Sequence, residues 1–406
     1  MRFVHTADWH LGARLNAIGP RSSESLDWRF DAVRNVFDLS LKENASFILA
    51  AGDIFDNSYP GPDIRKKAAE LFKDSPVPLY LMPGNHDPLT PGSIWTNPAF
   101  LDELTGLKNV LLLLSPEPVE ETFEEKQVTL LPAPVTFKNQ PADTSAAMDG
   151  AIGTAVDKSA EETTGNETRI RIGIAHGGLQ NYFGTEILCD WIPENRADLS
   201  GLDYLALGDY HGYTPDTHPA ARCRTRYSGA PEPLAVDQER AGYALLVEIN
   251  EPGGEPVVTP FSVGKTTIET KVFHVSPQEG FDKMKKEIRE IESPARTLLR
   301  CTVRGVLSVT QYSDYRKWMN GLYDEFLGII EDSKGLSREP SDEEWEDSDL
   351  GLNPIEKRLV KLLQSEVETE RFTEHEGGLV AYYGNRPSVR KEALALLYEQ
   401  ISRRDS

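Results

Sequence analysis

Cysteine is nearly absent. The 406-residue chain carries only Cys189, Cys223 and Cys301, an odd number at wide spacing. That pattern excludes a disulfide framework and a thiolate zinc site, and buried free thiols are the expectation. Long apolar runs are missing too, since none approaches the roughly 20 residues that a membrane-crossing helix needs. The first apolar strand begins almost at Met1, leaving no room for a charged start, an apolar stretch and a cleavage site. A cytoplasmic protein with no membrane partner is therefore expected. Basic residues are the third shortage. Lys plus Arg number 43 against 65 Asp plus Glu, a net charge of −22, which is awkward for anything that must approach a phosphodiester backbone. Salt screens exposed charges beyond about 8 Å, so a local cationic patch or bound metal ions can still outweigh a distant acidic face.

What is present is α/β patterning. From Met1 to about Pro233, runs rich in Val, Ile, Leu and Phe alternate with helical spacings such as Phe30, Val33, Phe37 and Ile64, Ala68, Leu71, Phe72. The interval Lys138 to Arg169 is dominated by small and acidic residues, with a short helix expected near Ala146, and reads as a surface excursion. Tyr243–Ile249 and Val257–Val263 flank Glu251-Pro252-Gly253-Gly254, a hairpin-like connection. A smaller α/β unit follows over 270–336. It has strands at Thr270–Val275 and Thr297–Val306, a helix carrying Phe281, Met284, Ile288 and Ile291, and another carrying Tyr315, Trp318, Met319, Leu322, Tyr323, Phe326, Leu327 and Ile330. That stripe is expected to pack as core. Residues 337–406 begin with an acidic stretch that reads as a solvated linker. They end in a helical face of Val389, Ala393, Leu396, Leu397 and Ile401 that either folds back or docks on another protein.

The chemistry sits where apolar runs stop. Phe3 to Ala7 leads to Asp8 and His10, and Phe47 to Ala51 leads to Gly52-Asp53. Leu81-Met82-Pro83 leads to Gly84-Asn85-His86-Asp87, Ile170 to Ala175 leads to His176, and Tyr204 to Leu207 leads to Gly208-Asp209-Tyr210-His211. Asp8, Asp53 and Asp209 held roughly 4 Å apart would repel by about 4 kcal/mol per pair at an effective dielectric near 20, so clustering them calls for cations. The accompanying His10, His176, His211 and Asn85 offer neutral donors, a mixture suited to manganese, magnesium, iron or zinc.

These ordered motifs resemble those of calcineurin-like metallophosphoesterases over roughly the first 235 residues. Within that superfamily, His5-Thr6-Ala7-Asp8-Trp9-His10-Leu11-Gly12, Ala51-Gly52-Asp53-Ile54-Phe55-Asp56 and Tyr227-Ser228-Gly229-Ala230-Pro231-Glu232-Pro233 resemble the SbcD-type nuclease subunits of DNA double-strand-break repair, nearest their bacterial YhaO-like branch. The resemblance implies a four-layer sandwich of two mixed β-sheets flanked by helices (1–269), a small α/β capping domain that could contact DNA (270–336), and C-terminal helices for partner docking (337–406). It implies one metal held by Asp8, His10, Asp53 and His211, and a second held by Asp53, Asn85, His176 and Asp209. Such an ion pair would activate a hydroxide for in-line displacement. His86 would stabilise the developing charge or protonate the leaving oxygen, with Asp87 orienting its ring.

One departure bears on the metal. The family usually has Gly-His-x-His at the last motif, and here Asp209 replaces the first histidine, which favours a harder ion such as manganese. Asp56 also stands where some members carry a histidine. Arg222, Arg224 and Arg226 alternate, so a strand there would put their guanidiniums on one face, either to grip phosphates or as an ordinary solvated surface. Lys283, Lys285, Lys286 and Arg289 form a second basic candidate. The leading expectation is a manganese-dependent nuclease acting at or near DNA ends, with a coiled-coil ATPase of the SbcC or YhaN type as partner and a homodimer as a further option. The alternatives are a phosphodiesterase for a cyclic nucleotide or other small phosphoester, and a non-catalytic scaffold subunit of a repair complex.

Overall fold

The computed structural model describes residues 1–149, 169–182, 184, 186–222, 224–341, 352–364, 393–394, 396–397 and 400. It divides into two units, Met1–Ile268 and Glu269–Ser406.

The strands of the first unit run, in chain order, β1 (Arg2–Thr6), β2 (Ile48–Ala51), β3 (Leu79–Met82), β4 (Val110–Leu112), β5 (Val119–Phe123), β6 (Lys126–Ala133) and β7 (Arg169–His176). They continue with β8 (Gly178–Leu179), β9 (Trp191–Ile192), β10 (Tyr204–Gly208), β11 (Thr225–Tyr227), β12 (Tyr243–Glu248) and β13 (Val257–Ser262). One sheet has the order β13-β12-β1-β2-β3-β4, and a second has β11-β10-β7-β6-β5. Both are mixed. β1 to β4 are parallel while β12 is antiparallel to β1, and β5 alone runs antiparallel in the second sheet.

Successive strand residues face opposite ways, and the first sheet uses this to feed two cores. Phe3, Phe47, Leu49, Tyr80 and Met82 point at Val128, Ile170, Ile172 and Tyr204 of the second sheet. The rings of Phe3 and Phe47 stack with centroids 4.8 Å apart, a pair contributing about 0.5–1.5 kcal/mol beyond its area. The alternate residues Val4, Ile48, Ala50, Leu79 and Leu81 pack outward on Phe30, Val33, Leu71, Phe72 and Phe100. Those belong to the helices Glu24–Lys42, Pro62–Lys73 and Pro98–Leu104. Pro62 starts its helix at a position where no N–H is missed, and Ala68, Leu71 and Phe72 then fall on one buried face. On the far side of the second sheet, Leu131, Ala175, Leu205 and Leu207 pack with Met148, Ala197 and Leu202. The result is helix, sheet, sheet, helix, as expected from the sequence. The expected hairpin is β12 with β13, and Pro260 falls on β13, the edge strand of its sheet, where a missing N–H is tolerated.

Of the excursion between Lys138 and Arg169, residues 150–168 lie outside the described residues. The described part is anchored, since the buried Arg196 pairs with Asp143 and Asp149 and Met148 is buried. Cys189 is exposed, against the expectation of buried thiols, while Cys301 is buried and Cys223 lies outside the described residues.

The second unit holds a sheet of order β14-β15-β16, with β14 (Thr267–Val275), β15 (Thr297–Leu307) and β16 (Gly328–Arg338). Helices Asp282–Arg289 and Val309–Glu325 cover it, the latter started by a reciprocal cap between Ser308 and Gln311. Tyr315, Met319, Leu322 and Phe326 pack into its core with Phe281, Met284 and Ile288. The helix is shorter than its apolar stripe implied. Leu327 and Ile330 lie beyond it, and Ile330 sits on β16 opposite Arg300 of the parallel strand β15. Ser337, taken as the start of the linker, still belongs to β16. The acidic run 342–351 is outside the described residues. Near the C-terminus, Leu394 and Leu397 pack with Leu352, Val360 and Val309, so part of the final apolar face folds back. Leu396 remains 57% exposed, and Val389 and Ile401 are outside the described residues. Among the described residues, no helix is long and apolar enough to cross a membrane.

Candidate metal centre

The carboxyl ends of β1, β2, β3, β7 and β10 carry the chemistry-bearing residues. Parallel register aligns these ends within each sheet, with Thr6 opposite Ala50, Ala51 opposite Met82, and Gly208 opposite His176. The crevice beyond such strand ends is where open α/β sheets bind ligands. Hydrogen bonds then stitch the two sheets together. Asp209 N–H donates to Asp8 Oδ1 at 2.9 Å, and His176 Nδ1 donates to the Ala51 carbonyl at 2.9 Å.

The backbone is bent hard to deliver these side chains. Asp8, His10, Asp53 and Asp209 have φ of 55°, 44°, 53° and 105°, a region that non-glycine residues enter at an energetic cost of about 1–3 kcal/mol each. Gly84 leaves room for the centre, because a Cβ there would lie 2.2 Å from Asp53 Oδ1 and 2.3 Å from Asp53 N.

Asp53 occupies the middle. Its Oδ2 is 3.4 Å from Nε2 of both His10 and His176, and its Oδ1 accepts the His86 N–H at 2.8 Å. Ligand-capable atoms of Asp8, His10 and His211 lie within 4.8 Å of one another, as do those of Asp8, Asp53 and His176. His176 Nε2 is 3.9 Å from Asp209 Oδ1, which accepts from Asn85 Nδ2 at 2.8 Å. All the residues expected as ligands therefore meet. Asp8 Oδ2, both ring nitrogens of His10 and His176 Nε2 are buried without a hydrogen-bond partner. Buried polar atoms rarely go unpaired, and oxygen and imidazole donors aimed at one place fit divalent cations.

Ionisation within the cluster follows from burial and crowding. Burial, then the neighbouring Asp53 and Asp209, pushes the Asp8 carboxyl up to about 8, against the opposing pull of His176. Burial likewise raises Asp209. Burial works against ionisation of Asp53 too, but His176, His10 and His86 hold it below the usual carboxylate range. His176, although buried, is raised well above its usual value by Asp53, Asp8 and Asp209.

Around this centre some expectations fail. Asp87 does not orient the His86 ring. Its carboxylate accepts Gly84 N–H at 2.8 Å and Phe55 N–H at 2.9 Å, fixing the loop that carries Asn85 and His86. His86 Nδ1 instead lies 3.1 Å from the Asp56 carbonyl. A carbonyl only accepts, so Nδ1 carries the proton and Nε2 is left for other work. The arginines do not share a strand face either. Arg222 ends the short helix Pro219–Arg222, and Arg224 sits in a turn at φ 58°. Only Arg226 lies in β11. Arg224 is spent on the carbonyls of Leu202 and Gly253 and lies near Asp203, and the buried Arg226 pairs with Asp216 at 3.3 Å.

Two further side chains adjoin the expected ligands. The Asp56 carboxylate, at the position where some family members carry a histidine, is 3.7 Å from His10 Nδ1. Gln238 contacts His211 Nδ1, and nothing in the spacing of a turn-rich stretch marks it.

The family described as calcineurin-like phosphoesterase matches residues 1–213, more than half of the chain. The chain belongs to that family. Calcineurin-like phosphoesterases are metal-dependent phosphoester hydrolases, and the mixed sheets flanked by helices are their architecture. Over 218 residues the chain is 28% identical to the uncharacterized metallophosphoesterase YhaO of Bacillus subtilis, covering 52% of this chain and 48% of that protein. It is 32% identical over 117 residues to the SbcD component of the nuclease SbcCD of Staphylococcus epidermidis, covering 27% and 30%. It is 32% identical over 94 residues to the DNA double-strand break repair protein Mre11 of Archaeoglobus fulgidus, covering 21% and 19%. The chain spans about half or less of the length of these curated relatives.

Proposed function

We propose that the chain is a manganese-dependent DNA nuclease that hydrolyses phosphodiester bonds at or near DNA ends in double-strand-break repair or recombination, working with a coiled-coil ATPase of the SbcC or YhaN type. The observation that carries the hydrolytic part is the set of unpartnered, buried donor atoms around Asp53. The partial likeness to proteins named for nuclease activity and break repair supports DNA as substrate.

In this reading Asp8, His10, Asp53 and His211 would hold one ion, and Asp53, Asn85, His176 and Asp209 would hold the other. Ions bound there would supply Lewis-acid activation of water and neutralise charge during an in-line phosphoryl displacement. His86 contacts the reacting phosphate. Its Nδ1 proton is committed to the Asp56 carbonyl, so its Nε2 is the nitrogen that donates to the phosphoryl or leaving oxygen once protonated. Asp87 holds the backbone of Gly84 and Phe55 so that Asn85 and His86 keep their places. The Asp209 carboxylate makes the second position harder than a histidine would, which favours manganese.

DNA contact would fall to the second unit, as a capping domain. Lys283, Lys286 and Arg289 are exposed on its helix Asp282–Arg289, while Met284 and Ile288 face its core. Replacing these cations with glutamine should weaken DNA binding and flatten its salt dependence. The helices beyond residue 352 would dock the ATPase.

A second reading is hydrolysis of a small phosphoester. The net charge of −22 and the internal pairing of Arg224 and Arg226 favour it. The test incubates purified protein, with and without manganese, with labelled single- and double-stranded DNA and with bis-p-nitrophenyl phosphate. Manganese-dependent DNA cleavage supports the nuclease. Turnover of the small ester with no DNA degradation, even with the ATPase added, selects the second reading.

A further inference from the structure

The carboxamide of Gln238 sits between the backbone and His211. Its Oε1 accepts the N–H groups of Leu234 at 2.7 Å and Ala235 at 3.1 Å. Backbone N–H groups can only donate, so these contacts fix which end of the amide is oxygen. The other end, Nε2, meets His211 Nδ1 in a close hydrogen bond. An amide nitrogen only donates, so Nδ1 must be the acceptor and the single proton of the neutral imidazole must lie on Nε2. Nδ1 then spends its lone pair on the amide and Nε2 carries the proton, so neither ring nitrogen is free to take a cation.

We infer that Gln238 is a positioning residue that gates ion loading through His211, by holding the ring in a tautomer that cannot ligate. The inference rests on the reading of His211 as an ion ligand. For the ring to ligate through Nε2, Nδ1 must carry the proton and find an acceptor, which the amide offers only after turning over. Turning it brings Nε2–H groups against the Leu234 and Ala235 donors. Loading this part of the centre is therefore coupled to the turn 234–238. That turn is held from behind by the buried Arg29, whose guanidinium donates to the carbonyls of Glu232 and Pro233 at 3.0 and 2.8 Å. A glutamate at 238 removes the conflict, since one carboxylate oxygen can keep the backbone donors while the other accepts from His211 Nδ1. A methionine removes it differently, by freeing the ring without adding charge.

The experiment uses the full chain, stripped of metals and labelled with 15N at histidine, in wild-type, Gln238→Glu and Gln238→Met forms, with the His211 signals assigned from a His211→Gln spectrum. Long-range proton–nitrogen correlations report which ring nitrogen is protonated, and calorimetry reports manganese affinity. The wild type should show His211 protonated at Nε2 and Gln238→Glu at Nδ1. Gln238→Glu should bind manganese about tenfold more tightly and Gln238→Met should also bind more tightly than wild type. Protonation at Nδ1 in the wild type, or unchanged affinity in Gln238→Met, would overturn the gate. Manganese binding by none of these proteins would overturn the ion-centre reading itself, and the gate with it, whatever the tautomers.

Discussion

His86 Nδ1 lies 3.1 Å from the carbonyl oxygen of Asp56, while the neighbouring Asp87 carboxylate turns away to backbone N–H groups. The His86 ring is thus oriented by main chain, which leaves Nε2 as the nitrogen proposed to serve the reaction. His86→Asn should lower phosphodiester turnover by about 10²–10⁴, the usual worth of a positioned proton donor. Manganese stoichiometry should stay at the wild-type value. Calorimetry beside a turnover assay separates these effects, and a lost ion would make His86 a ligand instead.

Ion binding should expel protons. In the ion-free chain the Asp8 carboxyl is raised to about 8, chiefly by burial, and His176 is raised well above 6.5 by its carboxylate neighbours against the effect of burial. Both are protonated at pH 7, and cations must displace those protons. Manganese affinity should therefore rise as pH rises through 8. The binding enthalpy at pH 7 should depend on the ionisation enthalpy of the buffer, which titrations in phosphate and in Tris will show. Identical enthalpies in both would mean no proton release.

Gly84 is required by space. A Cβ there would meet Asp53 Oδ1 at 2.2 Å and Asp53 N at 2.3 Å, so Gly84→Ala must push the central carboxylate aside. Overpacking of this kind costs about 1–3 kcal/mol of stability, and manganese affinity should fall with it. Denaturant unfolding and calorimetry on the variant check both; wild-type affinity would show that Asp53 has room to move.

His5 gives the fold an acid limit independent of the ligands. It is fully buried, with Nδ1 2.9 Å from the Tyr204 hydroxyl, and burial lowers it from 6.5 to about 3. Because its folded value is depressed, the neutral ring stabilises fully above pH 6.5, and that contribution is lost as pH falls from 6.5 toward 3. In urea unfolding at pH 7.5 and 5, His5→Gln should lose less stability between the two than wild type does. An equal loss would assign the acid sensitivity elsewhere.

The sequence showed the strand ends plainly because physics leaves them few options. A short apolar run with period-2 alternation feeds the inner and outer cores, as Phe47, Leu49 and Ala51 against Ile48 and Ala50 do, and a glycine followed by a ligand cannot continue it. The array around Asp53 was legible for the same reason. Three features were not. β16 was hidden because Ile329 and Ile330 prolong the helical spacing of Tyr315 to Phe326, and only pairing with β15 makes that segment a strand. The alternation of Arg222, Arg224 and Arg226 looked like one face, but the left-handed turn at Arg224 breaks it. Asp203 and Asp216 meet Arg224 and Arg226 through the fold. Asp87 follows His86 in the chain, and that adjacency concealed its hydrogen bonds to Gly84 and Phe55.

The proposed role of Asp53 as anchor of a pair of divalent ions is tested most directly by a calorimetric manganese titration of metal-stripped protein. Wild type is predicted to bind two ions per chain. Asp209→Ala should bind one and Asp53→Asn none, with circular dichroism showing both variants folded. A wild type that binds no manganese, or a folded Asp53→Asn that still binds two ions, would contradict the account.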